Sequence, residues 1–413
     1  MRRSLYSLLL YALLPLALAR VWWRGRREPG YRRHLAERLG RYEGAPGRPA
    51  IWLHAVSLGE ARASAGLARA LAAAHPECEL LLTCTTAAGR AALEELHGGT
   101  ARIAWLPYDT PGAARRFLER FRPRLGVLVE TEIWPNLIAA CAAAGVPLVL
   151  ANARMSERSA RGYARIEGLA RPAFGALAAA CAQSEADAAR LRALGAARVE
   201  VTGNLKFDAV PDEAKRAAGR AWRARLARPV LLLASTREGE EAMLLEALPP
   251  WDGKLLVVLV PRHPRRFEEV ASLADSRRTR NPMPAPHDRI HLGDTMGEMD
   301  FYYAAADVAV IGGSFAGLGG QNLIEACAAG TPVVVGPSMF NFAEAAALAL
   351  EAGAALRARD AVDAIGQALR LLPDAGRRAA MGQAGIDLCA AHRGATARQL
   401  AACERSIRAR APG

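Results

Sequence analysis

The chain has 413 residues, which predicts two domains of ordinary size, and 52% of them are hydrophobic, which excludes a largely disordered protein. A net charge of +13 indicates anionic partners. The sequence has no zinc-finger spacing and no RNA-binding aromatic signature, so we expect a membrane surface or a phosphorylated substrate and no nucleic acid.

The N-terminus is predicted to be a membrane anchor, residues 1–23. An apolar run at 5–19 lies between arginines, with tyrosines and tryptophans near its ends. A secretory signal cleaved after Ala17-Leu18-Ala19 is the alternative, but Arg20 directly after that point argues against cleavage. The run is short for a bilayer span, so crossing the membrane and lying in its interface both stay open.

The segment from Arg24 to Gly47 is basic and interrupted by glycine and proline. Two interpretations stand side by side. It is either a solvated linker helix beside an anionic bilayer, or its arginines hold an anionic lipid head group.

From residue 49 onward, apolar runs alternate with helical patterns, which predicts parallel sheets with crossover helices. The predicted strands are Ile51–Ala55, Leu80–Thr85, Leu125–Glu130, Pro147–Ala151, Ala178–Gln183, Val199–Thr202, Val230–Ala234, Lys254–Val260, Val308–Ile311 and Pro332–Gly336. We therefore predict an α/β fold with two doubly wound domains, residues 24–210 and 211–413, that face a cleft. The boundary falls in the polar stretch Asp208–Gly219, and the last helix is expected to be able to pack back on the first domain.

The seven cysteines are predicted to be free thiols. They are scattered, odd in number and without a C-x-x-C pair. This pattern favours buried thiols in a reducing compartment over a disulfide framework.

Three polar residues follow strands in the first half. Glu60 stands at a helix start, where a carboxylate accepts a proton from a bound hydroxyl or simply caps the helix. Glu130 ends a strand and is a candidate for the same site or part of a solvated turn. Lys206 follows another strand and would neutralise developing charge, with a surface salt bridge as the alternative.

The second half carries candidate anion sites. Ser235 and Thr236 would cap a helix or bind a phosphate, and Arg262-His263 between two prolines suits a phosphate. The glycines of Gly312-Gly313-Ser314 would let the backbone approach a phosphate. Asn322 and Glu325 have capping-box spacing, and Glu325 could equally bind a ribose. We find no Asp-x-Asp, no H-E-x-x-H and no P-loop, so no metal is predicted.

Several motifs, in this order, resemble the 3-deoxy-D-manno-octulosonic acid (Kdo) transferase family. They are His54-Ala55-Val56-Ser57-Leu58-Gly59-Glu60, Glu130-Thr131-Glu132-Ile133-Trp134-Pro135-Asn136, Gly203-Asn204-Leu205-Lys206-Phe207-Asp208, Ser235-Thr236-Arg237, Pro261-Arg262-His263-Pro264, Met296-Gly297-Glu298-Met299 and Gly312-Gly313-Ser314 through Glu325. The resemblance runs from the anchor to at least Pro337. Leu58 and Arg237 depart from the family pattern, which leaves the contact of Arg237 open.

The resemblance implies an inverting glycosyltransferase of the two-domain GT-B architecture. Its donor would be CMP-Kdo, its acceptor a lipid A precursor (lipid IVA) of lipopolysaccharide, and its place the cytoplasmic face of a bacterial inner membrane, beside anionic lipid. The resemblance assigns Glu60 as general base and Glu130 and Lys206 as groups that stabilise the transition state. It assigns nucleotide binding, without a cofactor or metal, to Arg262, His263, Met296, Gly297, Glu298, Gly312, Gly313, Ser314, Asn322, Leu323, Ile324 and Glu325.

Two other functions compete with this one. A two-domain transferase that uses a nucleotide diphosphate sugar would share the layout. A membrane-anchored nucleotide-binding protein without turnover would bind CMP whatever residue stood at position 60.

Overall fold

A computed structural model describes residues 2–44, 47–250 and 252–409. The chain forms two compact units: unit 1 is Met1–Ala209 with Arg393–Gly413, and unit 2 is Val210–His392. The described residues 393–409 lie in unit 1, which agrees with the expectation that the last helix can pack back on the first domain.

Unit 1 is built on a seven-stranded parallel sheet with the order β3-β2-β1-β4-β5-β6-β7. The chain winds outward from β1 to β3, returns to the other side of β1, and winds outward again from β4 to β7. We call the place between β1 and β4 the reversal point of unit 1. The strands are β1 Ala50–His54, β2 Glu79–Cys84, β3 Arg102–Trp105, β4 Pro123–Val129, β5 Leu148–Ala153, β6 Ala179–Ala182 and β7 Val199–Val201.

Helices cover both faces of this sheet, and each face has its own hydrophobic cluster. This explains why β1, β4 and β5 are apolar runs that are buried along most of their length rather than alternating strands. The helices are α1 Arg3–Arg24, α2 Leu58–Ala74, α3 Ala87–His97, α4 Pro111–Phe121, α5 Pro135–Ala143, α6 Glu157–Arg165, α7 Glu167–Gly175 and α8 Glu185–Ala193, with short 3₁₀ turns at Pro29–Arg32, Leu35–Leu39 and Leu205–Asp208.

Unit 2 is built on a second seven-stranded parallel sheet with a different order, β10-β11-β9-β8-β12-β13-β14. Its reversal point lies between β8 and β12. The strands are β8 Val230–Thr236, β9 Leu256–Pro261, β10 Ser276–Arg277, β11 Ile290–Leu292, β12 Val308–Ile311, β13 Val333–Val335 and β14 Ala355–Arg357. The helices are α9 Glu213–Ala224, α10 Glu240–Glu246, α11 Phe267–Ala271, α12 Met299–Ala304, α13 Ile324–Ala328, α14 Ala343–Glu351, α15 Ala361–Leu371 and α16 Ala375–His392, with 3₁₀ turns at Pro264–Arg266 and Phe340–Phe342.

The last helix, α17 Ala395–Arg408, packs in unit 1. Ala395, Ala402 and Cys403 on this helix belong to the same hydrophobic cluster as β1 and β4 residues. The chain therefore returns to the first sheet after completing the second.

The predicted α/β fold with two doubly wound parallel sheets is confirmed, but the sequence misses four strands: β3, β10, β11 and β14. Each has only two to four residues and includes an arginine or a histidine, so none stands out as an apolar run. The predicted boundary at Asp208–Gly219 is only partly a linker. It includes more than half of α9, where a Cβ on Gly219 would lie 2.3 Å from the carbonyl oxygen of Phe301, so glycine allows α9 and α12 to pack closely.

The helix α1 has 22 residues and is apolar enough, by length and composition, to cross a membrane. The segment after it contradicts the linker-helix interpretation. It forms two 3₁₀ turns in which Tyr31 and Arg38 are buried, and the Arg38 guanidinium lies 4.0 Å from the ring centre of Trp105. Positions 45 and 46 of this segment lie outside the described residues.

All seven cysteines are buried and free, as predicted. Burial raises the pKa of the Cys84, Cys141 and Cys181 thiols to about 12. These thiols are therefore protonated at neutral pH, and they serve as small core residues rather than as nucleophiles.

Candidate active site

Glu60 lies at the reversal point of unit 1, in the first turn of α2. Its Oε2 accepts a hydrogen bond from the Val56 amide at 2.7 Å, and its Oε1 accepts one from the Ser57 hydroxyl at 2.9 Å. Ser57 in turn caps the helix by accepting from the Glu60 amide at 3.3 Å. The helix-cap interpretation of Glu60 therefore describes real contacts, and these contacts also fix the orientation of the carboxylate.

The pKa of Glu60 is raised above its usual value. Burial is the largest cause and the negative charge of Glu130 is the second, while the bonds from Val56 and Ser57 act in the opposite direction. A carboxylate with a raised pKa holds a proton more firmly than an ordinary one. Glu60 is thus suited to accept a proton from a hydroxyl near neutral pH.

Glu130 follows β4 on the other side of the same reversal point. Its φ of +65° is left-handed, a conformation that non-glycine residues rarely adopt. Its Oε1 lies 3.7 Å from the Lys206 ammonium, and both side chains are about one-quarter exposed or less, at 25% and 20%. Strained residues of this kind cluster at functional sites, so the backbone at Glu130 supports a role beyond a solvated turn.

Glu132 adds a third carboxylate to this edge of the sheet. Burial, together with the negative charges of Glu60 and Glu130, raises its pKa to about 7, while a bond from Trp134 opposes them. The three glutamates therefore repel one another, and Lys206 is the cation that the structure pairs with one of them. Such an arrangement favours proton exchange at this site.

The reversal point of unit 2 holds a buried carboxylate, Glu240. Its Oε2 accepts from the amides of Gly313 at 2.6 Å and Arg237 at 2.9 Å. Its Oε1 accepts from the amides of Phe315 at 2.9 Å and Ala316 at 3.2 Å. The sequence predicts that the backbone of this loop approaches a phosphate. In the structure the Gly313 amide of this loop donates to Glu240, and phosphate binding by the loop stays a prediction.

The other residues of the loop also have internal roles. A Cβ on Gly312 would lie 2.6 Å from the Thr236 Cα, so glycine is needed where β12 meets β8. The hydroxyl of Ser314, which is fully buried, donates to the Ile311 carbonyl at 2.5 Å and accepts from the Gly336 amide at 2.9 Å. Gly312, Gly313 and Ser314 thus shape the loop from within.

Ser235 and Thr236 do not cap a helix as the sequence suggests. Gly239 is the N-cap of α10, the Thr236 hydroxyl donates to Glu241 at 2.7 Å, and Ser235 has a left-handed φ of +56°. Ser235 is therefore a second strained residue at a strand end, at the reversal point of unit 2 as Glu130 is in unit 1.

Basic side chains gather beside this loop. The Arg262 guanidinium donates to the Gln321 side chain at 3.1 Å, which ties the end of β9 to the glycine-rich segment. Burial lowers the pKa of His263, and the positive charges of Arg237, Arg262 and Arg265 lower it further. His263 is therefore neutral at physiological pH, and the surrounding arginines favour an anion.

The remaining predicted residues are bonded to close neighbours. Glu298 accepts two bonds from Arg278, at 2.8 and 3.2 Å, and one from Thr295 at 2.6 Å. Met296 is 52% exposed, and Gly297 has a φ of +73° that suits glycine. The nucleotide-binding role of Met296, Gly297 and Glu298 stays a prediction.

The segment from Asn322 to Glu325 shows part of the predicted cap. The Asn322 Oδ1 accepts from the Ile324 amide at 3.0 Å, and its Nδ2 donates to Glu325 at 2.9 Å. Leu323 and Ile324 are buried. Among the residues that the structure describes, no group of three or more His, Cys, Asp or Glu side chains could hold a metal ion.

Comparison with known proteins gives the family. Residues 33–209 match the family model described as 3-deoxy-D-manno-octulosonic-acid transferase (kdotransferase). A 3-deoxy-D-manno-octulosonic acid transferase from Bordetella pertussis is 49% identical over 98% of this chain and 99% of its own. The chain belongs to the Kdo transferase family. A Haemophilus influenzae transferase of the same description is 34% identical over 97% of both chains.

Solved structures support the transferase's fold. An Anabaena protein in complex with UDP and glucose aligns with a TM-score of 0.54 and 14% identity, over 86% of this chain and 98% of its own. A putative UDP-N-acetylglucosamine 2-epimerase from Listeria monocytogenes aligns with a TM-score of 0.58 and 18% identity, over 88% and 98%. At these identities the likeness concerns the fold alone, and it agrees with the GT-B architecture.

Sequence reasoning missed several polar residues of this transferase. Glu240 lies five residues after Ser235, and the run Gly239-Glu240-Glu241 at a helix start is the signal that could have found it. Gln321 and Gln399 gave no signal, because a single glutamine in a helical or glycine-rich stretch carries no spacing information.

Proposed function

We propose that this Kdo transferase moves Kdo from CMP-Kdo to a hydroxyl of a lipid A precursor, with inversion at the anomeric carbon. The observation that carries the proposal is the carboxylate of Glu60, oriented by Val56 and Ser57 and with a raised pKa, at the reversal point of unit 1. Ligands of open α/β sheets bind at such points.

In the proposed step the acceptor oxygen forms a bond to the anomeric carbon of Kdo while the bond to the CMP phosphate breaks. The proton of the acceptor hydroxyl passes to Glu60, and the electron pair of the broken bond leaves with the phosphate. Attack from the face opposite the leaving group inverts the configuration. Glu130 and Lys206, 3.7 Å apart, would stabilise the charges of this transition state.

The donor is assigned to unit 2. Arg262, with Arg237 and the neutral His263 beside it, would bind the anionic groups of CMP-Kdo without a metal ion. Glu240 would hold the loop Gly312–Ser314 in shape, and the segments Met296–Glu298 and Asn322–Glu325 would complete the nucleotide site. These two segments are assigned through the family resemblance alone.

The membrane location is proposed for α1 and the basic segment after it. Trp22 and Trp23 are 53% and 62% exposed. Arg32 lies 4.1 Å from the Trp22 ring centre, and Arg27 lies 5.7 Å from that of Trp23. Exposed tryptophans beside arginines suit the interface of an anionic bilayer, which supports an anchor at the cytoplasmic face of the inner membrane.

The test is transfer by the full-length protein in detergent, with CMP-Kdo and a tetraacylated disaccharide bisphosphate as acceptor. CMP should compete with the donor, while UDP and ADP should not. Competition by UDP or ADP at concentrations like those of CMP would favour a transferase with a nucleotide diphosphate donor. CMP binding by folded protein with no product under any condition would favour the non-catalytic alternative.

A further inference from the structure

The segment that carries Lys206 is held by a buried polar network, and the network reaches the last helix of the chain. Lys206 lies in the 3₁₀ turn Leu205–Asp208, shortly after β7. Such a short turn at the end of a three-residue edge strand has little regular structure to fix it. The position of the ammonium therefore depends on the side-chain bonds around the turn.

The beginning of the turn is fixed by Asn152 and Asn204. The Leu205 amide donates to the Asn152 Oδ1 at 3.0 Å, and the Lys206 amide donates to the Asn204 Oδ1 at 3.0 Å. Gln183 joins the two asparagines, because it donates to the Asn152 carbonyl and accepts from the Asn204 side chain, each at 2.9 Å. Both asparagines are buried.

The last helix closes this network through Gln399. Its Oε1 accepts from the Asn152 amide at 3.0 Å, and its Nε2 donates to the Gly203 carbonyl at 3.3 Å. Gln399 is fully buried, and Asn152 has a left-handed φ of +50°. A buried amide that is not hydrogen-bonded is costly, so the site favours the one arrangement in which the Gln399 side chain bonds both segments.

The end of the turn is fixed to the same helix. The carboxylate of Asp208 accepts from the Gly394 amide at 2.7 Å and from the Thr396 amide at 2.5 Å, at the start of α17. Arg398 also donates to the Thr202 carbonyl at 2.9 Å. Residues at the start of α17 and on it thus bond the carbonyls of Thr202 and Gly203, which precede Lys206, and the carboxylate of Asp208, which follows it.

We infer that Gln399, on α17, is a positioning residue for Lys206. The inference rests on the role proposed for Lys206 beside Glu130. A helix that served only to cover the sheet would need apolar side chains, as at Ala402 and Cys403. Gln399 instead directs both ends of its amide at the segments that carry Asn152 and Lys206.

The test compares Gln399→Leu, Lys206→Ala and the double variant. Gln399→Leu should lower kcat at least about tenfold with less than about a twofold change in CMP affinity, since the donor is assigned to unit 2. Because Gln399 acts through Lys206, the double variant should be no slower than Lys206→Ala. Multiplied losses in the double variant, or a Gln399→Leu kcat within about twofold of wild type, would overturn the inference.

Ser406→Ala is the matched control. Ser406 is buried on the same helix, and its hydroxyl donates to the Ala402 carbonyl within that helix. The control should keep kcat within about twofold. Hydrogen exchange at the Leu205 and Lys206 amides should quicken in Gln399→Leu and stay unchanged in Ser406→Ala; equal exchange in both would also overturn the inference.

Further variants and measurements distinguish a failure of this inference from a failure of the proposed function. If Gln399→Leu does not fold, Gln399→Met replaces it, since methionine keeps the length of the side chain and removes the bonds to Asn152 and Gly203. If Lys206→Ala transfers at the wild-type rate, the role proposed for Lys206 is wrong and the positioning role falls with it. If folded wild type makes no product, the proposed function fails, and exchange at Leu205 and Lys206 still decides whether Gln399 holds the turn.

Discussion

Unit 1 and unit 2 are each built on a seven-stranded parallel sheet with one reversal point, yet the reversal points use carboxylates in opposite ways. In unit 1, burial and, after it, the negative charges of neighbouring glutamates raise the pKa values of Glu60 and Glu132, and Lys206 pairs with Glu130. In unit 2, Glu240 is fully buried and accepts four backbone amides, while arginines lie near His263. In the proposed function, this edge of the fold serves proton transfer in unit 1 and anion binding in unit 2.

The comparison concerns two parallel sheets that are expected to bind ligands at the carboxyl ends of their strands but for different chemistry. A buried carboxylate whose oxygens accept several backbone amides holds those amides in place. A carboxylate crowded by like charges is a better base. We expect the pattern of amide donors, rather than the presence of a glutamate, to decide the role of each reversal point.

The largest effect should come from removing the internal carboxylate of unit 2. Glu240→Ala leaves the amides of Gly313, Phe315 and Ala316 without an acceptor, and each unsatisfied buried group costs about 1–3 kcal/mol. We expect CMP affinity to fall more than about a hundredfold, measured by calorimetry. Glu238→Ala, at a neighbouring side chain that is 47% exposed, is the control and should bind CMP normally. Normal CMP binding by Glu240→Ala would show that the loop holds its shape without it.

A smaller effect is expected from the arginine that contacts the glycine-rich segment. Arg262→Ala removes a charge-assisted contact of about 1.5–3 kcal/mol, so CMP should bind about tenfold or more weakly. Arg265→Ala is the control, because that side chain is 76% exposed and pairs with Glu238. Equal losses in the two variants would mean that general positive charge, rather than the Arg262 contact, attracts the nucleotide.

The smallest effect concerns pH. Because burial and neighbouring charges raise the pKa of Glu132 to about 7, folding favours its neutral form. Wild type should therefore lose stability as pH rises from the unfolded carboxyl pKa towards about 7, and Glu132→Gln should be the more stable protein at about pH 8 but not at about pH 4. Thermal unfolding of both proteins at about pH 8 and about pH 4 measures this difference in stability. A stability difference of the same size at the two pH values would argue against the raised pKa.

Glu130→Gln should change the activity profile. The negative charge of Glu130 is, after burial, the second cause of the raised pKa of Glu60, so its removal should move the acid limb of kcat/KM to lower pH. Glu119→Gln is a control on an exposed helix position that pairs with Arg115. An acid limb at the wild-type pH would show that Glu130 does not set the pKa of the base.

Much of the fold can be predicted from the sequence, for physical reasons. Strands such as β4 and β8 are buried runs long enough to recognise, and parallel strands bring their carboxyl ends to one edge. This is why Glu60 and Glu130 could be assigned to one site without a structure. The short strands β10 and β11 could not be predicted, because their two and three residues include Arg277 and His291 and form no apolar run.

The internal bonds of the site could not be predicted. Gly313 lies 73 residues from Glu240, and Asn152 lies 247 residues from Gln399. No local pattern links partners at such separations, so sequence reasoning assigned the glycine-rich amides to a phosphate and left Gln399 unnoticed. Local spacing predicts which side chains reach a strand end, whereas tertiary packing decides what they bond.

The most direct test of the proposed mechanism is transfer by Glu60→Gln, with CMP binding measured in parallel. Glutamine keeps the size of the side chain and an acceptor for Val56 or Ser57, but it cannot take the proton of the acceptor hydroxyl. We predict that transfer falls by about a hundredfold or more, the range expected for loss of a general base, while CMP binds as it does to wild type. Near-normal transfer by this variant would contradict the mechanism and reduce Glu60 to a helix cap.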